Sequence, residues 1–281
     1  MESDLIEQFI EKKSIQALKT FLTAEDEKSF TSAAIKIADA FGVFSINEDP
    51  VYELIFNYPK WLKDEIKKKF REITKKNLLS ELQSDYTDPI RSSLDLFLSA
   101  ERNDNPEPDK EKCESFAKLL TETDPNDWMT NEEILENFAT FSPEELTLTC
   151  RYYAKICGNG AGIIDALKMM RKSCKKFLKN LLYYVTIPPL KYAMKLNDLL
   201  ANIDLPKPEL DKQLLDIIGS RHDVDLPLIN EFYKKFGVDI RDEIANKLSN
   251  YEKEPVYQLI NSYFKKAYVK EALKDKIKFN K

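Results

Sequence analysis

Apolar positions recur along most of the chain at helical spacing. Leu226, Ile229, Phe232, Tyr233 and Phe236 stand at i, i+3, i+6, i+7 and i+10, and Ile134, Leu135, Phe138 and Phe141 keep the same period. Strict period-two alternation is scarce, so the pattern predicts helices and no sheet. Proline or glycine interrupts the pattern at short intervals, as at Gly42, Pro50, Pro59, Pro89, Pro125 and Pro143, which makes the helices short and the loops shorter. Ser142-Pro143-Glu144-Glu145 predicts a helix start: a hydroxyl cap, a proline where the missing N–H costs little, and acids at the positive helix end.

The predicted helices recur in blocks with one order. The last block reads KLNDLLANI, loop, ELDKQLLDIIGSR, DVDLPLINEFYKKFG, VDIRDEIANKLS, loop, PVYQLINSYF. The middle block reads KCESFAKLL, loop, NEEILENFATF, SPEELTLTCRYYAKICG, GIIDALKMM, RKSC, KKFLKNLLYYV. An earlier block runs FTSAAIKIADAFG, loop, NEDPVYELIFNY, PKWLKDEIKKKF, LLSELQ, loop, IRSSLDLFL. The copies span 29–100, 108–185 and 188–265, with an acidic linker at 101–107 and a basic helix or tail at 266–281. Five short amphipathic helices cannot each bury a face alone, so the units must pack on one another.

Composition narrows the chemistry. The chain has 281 residues, only six of them glycine, which leaves little for phosphate-cradling loops or tight hairpins. A formal net charge of −5 does not favour nucleic acid. The single histidine, His222, excludes every site that needs two. It stands at a helix boundary, where a solvated or capping role is expected. No apolar run approaches transmembrane length, and the acidic start MESDLIEQFIEKK lacks the form of a signal peptide. Cys113, Cys150, Cys157 and Cys174 form no CxxC pair and read as reduced thiols of a cytoplasmic protein. Cys150 and Cys157, seven apart, share one helix face, expected to be buried. The cluster Gly158, Gly160 and Gly162 follows no strand, so a helix cap and turn explain it. No nucleophile–base pair or paired carboxylates can be assembled from motif spacing, so no enzyme is expected.

A five-helix unit of this length resembles the annexin repeat. Ile217-Ile218-Gly219-Ser220-Arg221 followed by LINEFYKKFG is similar to the end of the family's second helix and its third helix. The acidic, proline-bearing hinge before the middle block, followed by Trp128, Thr130, Asn131 and Glu132, resembles the family's entry into repeat three. The resemblance implies repeats two, three and four at 29–100, 108–185 and 188–265. Residues 1–28, with helices expected at about 3–11 and 14–23, would then be the remnant of a truncated first repeat. The helix 27–42 fits either repeat one or repeat two. Degenerate loops and the truncation bring the chain nearer to the divergent protist annexins called alpha-giardins than to vertebrate annexins. The implied fold is an all-α, annexin-like array of five-helix repeats.

The resemblance also implies where chemistry would sit. The family holds calcium between a Gly-x-Gly-Thr loop and a carboxylate about 42 residues downstream, as a hard cation wanting six to eight oxygens requires. In repeat two the loop is Val43-Phe44-Ser45-Ile46, and Asp85 stands at the carboxylate position. The implied ligands are Asp85 and the carbonyls of Phe41, Val43 and Ser45; the competing reading makes Asp85 a helix-end acid without metal. In repeat three the partner loop Met169-Met170-Arg171-Lys172 is basic and would repel a cation. In repeat four, Pro206 and Pro208 occupy the loop and Leu248 the acid position, with Glu252 and Glu254 nearby. Trp128 reads either as a core anchor or as a side chain touching membrane, and is expected to be lipid-facing. Arg171, Lys172, Lys175, Lys176 and Lys179 read either as a solvated face or as a contact for anionic headgroups; the first four are carried forward as lipid-facing. Two functions remain: a peripheral phospholipid-binding protein with weak calcium dependence, or a structural protein whose partners are cytoskeletal.

Overall fold

The computed structural model describes residues 25–42, 46–105, 107–158, 161–201, 207–222, 224–247 and 255–279. Among the described residues the regular structure is helical, apart from one isolated antiparallel bridge between Phe41 and Ile46. It divides into two compact units, Met1–Thr186 and Ile187–Lys281. The helices expected before residue 24 lie outside the described residues.

The first unit holds two successive sets of five helices. The first set is α1 (Glu25–Ala40), α2 (Glu48–Asn57), α3 (Lys60–Thr74), α4 (Leu78–Asp85) and α5 (Ile90–Ser99). The second is α6 (Lys110–Glu122), α7 (Glu132–Thr140), α8 (Pro143–Cys157), the single turn α9 (Ile163–Ala166) and α10 (Lys172–Thr186). In both sets the first helix packs most closely on the third. The helix 27–42 therefore does for its set what α6 does for the next.

Local chemistry sets the helix ends. Ser142 accepts from the Glu145 amide at 3.0 Å, the hydroxyl cap expected from the sequence, and Glu145 Oε2 in turn accepts from the Ser142 amide at 2.8 Å, which makes the cap reciprocal. Asn47, Asn77, Asp109 and Asn131 cap α2, α4, α6 and α7 in the same side-chain-to-amide manner. Gly158 ends α8 at φ +68°, a left-handed conformation that a side chain would strain.

The two sets are joined by aromatic packing. Phe177 of α10 meets Tyr52, Phe56 and Phe97 edge-on, with centroids 5.1–5.9 Å apart. Each such pair contributes about 0.5–1.5 kcal/mol beyond its buried area. Buried Lys63 and half-buried Arg102 finish helix ends through carbonyls. Lys63 of α3 donates to the carbonyls of Ile55, Phe97 and Ala100 at 3.3, 2.9 and 3.3 Å. Burial, with Arg102 nearby, lowers its pKa to about 8. Arg102 donates to the carbonyls of Phe138 and Phe141, both at 2.9 Å, and burial lowers its pKa to about 10. The Asn103 amide donates to the Thr140 carbonyl at 2.7 Å and its side chain to Glu145 at 2.9 Å. The start of the acidic linker is thus strapped to the second set.

The second unit comprises α11 (Pro188–Ala201), α12 (Lys207–Arg221), α13 (Leu226–Tyr233), α14 (Ile240–Lys247) and α15 (Pro255–Phe279). Again the first helix, α11, packs most closely on the third, α13. Leu226, Ile229 and Tyr233 are buried as their period predicts, but Phe236 is exposed because α13 ends at Tyr233 and turns follow. The fifth helix and the basic tail, expected as separate pieces at 265/266, form one helix. No proline or glycine stands between Phe264 and Phe279 to stop it. Asn230 and Asp239 organise this unit's polar core. Asn230 accepts from the Ile240 amide at 3.0 Å and donates to Asp239 at 2.7 Å and to Tyr268 at 2.8 Å.

Candidate functional site

The loop of the first set begins where α1 stops. The Asn47 amide donates to the Ala40 carbonyl at 2.7 Å, which together with the Phe41–Ile46 bridge pins both loop ends. The Phe41 ring tilts against Phe70, centroids 5.8 Å apart. Val43 and Ser45 lie outside the described residues. Asp85, the last residue of α4, is exposed. The other carboxylates of this region are committed. Asp88 accepts from Arg91 and from Ser92, both at 2.6 Å, and these bonds, that of Arg91 first, hold its pKa at about 2. Glu48 accepts from the Tyr52 hydroxyl at 2.9 Å and is paired with Lys176 of α10. The Tyr86 hydroxyl is buried beside them; burial, then the Glu48 charge, raises its pKa above the ordinary phenol range. Among the described residues no group of three His, Cys, Asp or Glu side chains converges on a metal position. Among the described residues of this loop pair, Asp85 is the carboxylate left uncommitted.

The second set presents a different surface. Its two short 3-10 turns, Pro125–Asp127 and Leu167–Met169, lie against each other. Asp124 accepts from the Asn126 amide at 2.8 Å and holds the first turn in shape. Trp128 follows, and it is fully buried: its indole N–H donates to the Thr123 carbonyl at 3.1 Å, and its ring meets Phe138 and Tyr153. The lipid-facing expectation for Trp128 is therefore corrected. The residue is the core anchor of the second set, because its one polar atom is satisfied inside and its ring completes an aromatic cluster.

Met169, on the second turn, is 73% exposed. Arg171, Lys172 and Ser173 are exposed beside it and Lys175 is half-buried. The first turn of α10 carries no acid. Its unsatisfied backbone N–H groups and the positive helix end add to the field of these cations. Lys176 is exposed but paired with Glu48, 128 residues away in sequence. It is thus partly spent on the junction between the two sets. Lys179 lies 5.5 Å from the ring of Tyr183. The structure thus keeps Arg171, Lys172 and Lys175 together and adds Met169, which sequence reasoning missed. Its only signal was an apolar residue in a turn whose next residue, Met170, fills the core.

The remaining candidates are structural or lie outside the described residues. Leu248, Glu252 and Glu254 lie outside the described residues, and Lys207 and Pro208 belong to the first turn of α12. His222 has Nδ1 2.6 Å from the Gly219 carbonyl and stacks near Tyr263 at 4.6 Å, a capping position. The four cysteines are free, with Cys113 and Cys174 buried and Cys150 and Cys157 half-buried rather than buried. Burial raises the Cys150 thiol to about 11, so it is unreactive at neutral pH. Among the described residues no helix is long and apolar enough to cross a membrane.

Neither a family model nor a curated protein matches the chain. Solved structures do. Annexin III aligns with a TM-score of 0.68 over 85% of this chain and 71% of its own, at 21% identity. Chicken annexin V aligns with a TM-score of 0.66 over 84% and 72%, at 18% identity. Alpha-14 giardin, in its calcium-bound structure, aligns with a TM-score of 0.60 over 84% and 76%, at 14% identity. The chain therefore has the all-α annexin fold, shared with both annexins and alpha-giardins.

Proposed function

We propose that the chain is a non-enzymatic, peripheral membrane protein of the cytoplasm that binds anionic phospholipid, with calcium contributing weakly. The observation that carries this reading is the turn before α10. An exposed thioether, Met169, stands beside Arg171, Lys172 and Lys175 at a helix amino terminus without acids. An apolar tip ringed by cations suits an interface whose surface is anionic and whose interior is hydrocarbon. Each basic residue near such a surface is worth about 1 kcal/mol. The three sets of helices, each with first-on-third packing, are read as repeats two, three and four, which would place this turn where the fold's lipid-facing loops lie. Asp85, with the carbonyls of Phe41, Val43 and Ser45, would hold one calcium ion weakly. The ion would supply a positive bridge to a headgroup phosphate.

Co-sedimentation with vesicles tests the reading. Binding to phosphatidylserine-containing vesicles that persists in chelator, and is absent with pure phosphatidylcholine, is expected. Equal binding to both lipids, or to neither, would sink it. The second reading, a cytoskeletal partner with little membrane binding, is favoured by one observation: Lys176 is drawn into an intramolecular pair with Glu48. Failure to bind either vesicle, with recovery on assembled microtubules, would favour that alternative.

A further inference from the structure

Ser173 stands in the middle of the cationic turn, and the membrane reading makes no use of it. It is the second residue of α10, its side chain is exposed, and its hydroxyl makes no hydrogen bond with another described residue. Arg171 and Lys172 precede it; Lys175 and Lys176 follow. Its neighbour Cys174 turns into the core, so Ser173 is the hydroxyl this turn presents outward. Arg171, Lys172 and Lys175 form no ion pair with a described residue, so no carboxylate competes for them.

We propose that Ser173 is a phosphorylation site for a serine kinase that selects cations on both sides of its acceptor, and that the phosphate releases the chain from anionic lipid. The release step rests on the membrane-binding reading above. In the transfer, Ser173 Oγ attacks the γ-phosphorus of magnesium ATP. The bond from that phosphorus to the bridging oxygen breaks, and ADP leaves with the electron pair. The hydroxyl proton passes to the kinase's base. Met170 is extended at φ −78°, ψ 159°, so a kinase has only the first turn of α10 to straighten. Helix ends open at lower free energy than helix centres. The product carries about −1.5 to −2 charges on three acceptor oxygens. Placed in the first helical turn it opposes the positive helix end favourably, so α10 is kept. The surface field is what changes: the phosphate cancels about two of the cations that would meet the headgroups.

The test uses the full chain. Unmodified protein, Ser173→Ala and Ser173→Glu are incubated with magnesium ATP and the catalytic domain of protein kinase C, and the sites are mapped by mass spectrometry. Circular dichroism checks that each protein keeps its helix content. Phosphorylated and unmodified chains are then titrated, in chelator, with phosphatidylserine-containing vesicles. We expect phosphate mainly at Ser173, none at that position in Ser173→Ala, and affinity about 30-fold weaker for the phosphorylated chain. Ser173→Glu should be intermediate and unphosphorylated Ser173→Ala unchanged. A chain labelled elsewhere while Ser173 stays bare overturns the acceptor assignment. A Ser173-phosphorylated chain that binds vesicles as well as the unmodified one overturns the release. An unmodified chain that binds no anionic vesicle sinks the membrane reading and the release together, while the phosphate map still decides the acceptor.

Discussion

At the scale of single residues, this fold disposes of buried cations through helix-end carbonyls rather than carboxylates. Lys63 closes the carboxyl ends of α2 and α5 at once. A buried carbonyl left without a partner costs about 1–3 kcal/mol. Lys63→Ala should therefore lose about 2–4 kcal/mol in urea denaturation, some of it offset because a desolvated ammonium is also removed; a loss under 0.5 kcal/mol would mean that water replaces the ammonium. In the second unit, Asp239 accepts from its own neighbour Arg241 through Nε at 2.9 Å and through its amide at 3.0 Å. Burial pushes this carboxyl up, but those bonds and the one from Asn230 outweigh it and hold the pKa at about 2. An acid whose pKa is lowered by folding stabilises above its unfolded value of about 3.9 and stops doing so as pH falls toward the folded value. Between about pH 4 and pH 2 the unit should thus lose on the order of 1–2 kcal/mol, a slope that Asp239→Asn should flatten. Thermal melts of both proteins across that range check it, and parallel acid curves would contradict it. None of these roles was legible from sequence. A lysine that reaches three carbonyls, two of them more than 30 residues away, leaves no mark on local periodicity. Trp128 shows the same gap: its spacing marks it as apolar but does not say whether core or surface receives it.

Among the elements, what the sequence made legible was helix existence and helix ends. The hydroxyl cap at Ser142 and the stop at Gly158 depend on residues within a few positions of one another, so local chemistry decides them. The three-fold helix order was legible for the same reason, since breakers and periods recur. Two ends were not: α13 stops at Tyr233 although its period continues to Phe236, and α15 runs on through the expected boundary because no breaker stands there. One element that departs from local stability rules is α10, with cations where a helix start favours acids. This predicts opposite effects on stability and binding. Arg171→Glu and Lys172→Glu should each leave stability unchanged or raise it by about 0.3–1 kcal/mol, since acids suit the amino end. Each should also weaken binding to anionic vesicles by about tenfold or more, because reversal removes one attraction and adds one repulsion. Melting curves and vesicle titrations of the same two variants supply both readouts. A turn that merely solvates its charges would show the first effect without the second.

For the whole molecule, the membrane reading proposed above would assign the two loop pairs of the first unit different tasks, calcium at one and lipid at the other. The pair at Asp85 would offer calcium one uncommitted carboxylate among the described residues, since Asp88 is held by Arg91 and Ser92 and Glu48 by Tyr52 and Lys176. A site built from one carboxylate and a few carbonyls belongs at the weak end of biological calcium affinities, about 10⁻⁴–10⁻³ M. On the same reading the pair at Met169 would need no metal, because its charges are already positive. Calcium and lipid should accordingly separate. Binding to anionic vesicles should survive chelator and fall steeply as salt rises past physiological strength, where exposed charges are screened within about 8 Å. Millimolar calcium should strengthen it modestly. In calorimetry Asp85→Ala should abolish the weak calcium heat while leaving chelator-resistant vesicle binding and helix content unchanged, because an exposed helix-end acid takes no part in packing. A chain that requires micromolar calcium before it meets any vesicle would reverse this assignment. It would place the lipid contact at a metal site and leave the cations before α10 as a solvated surface.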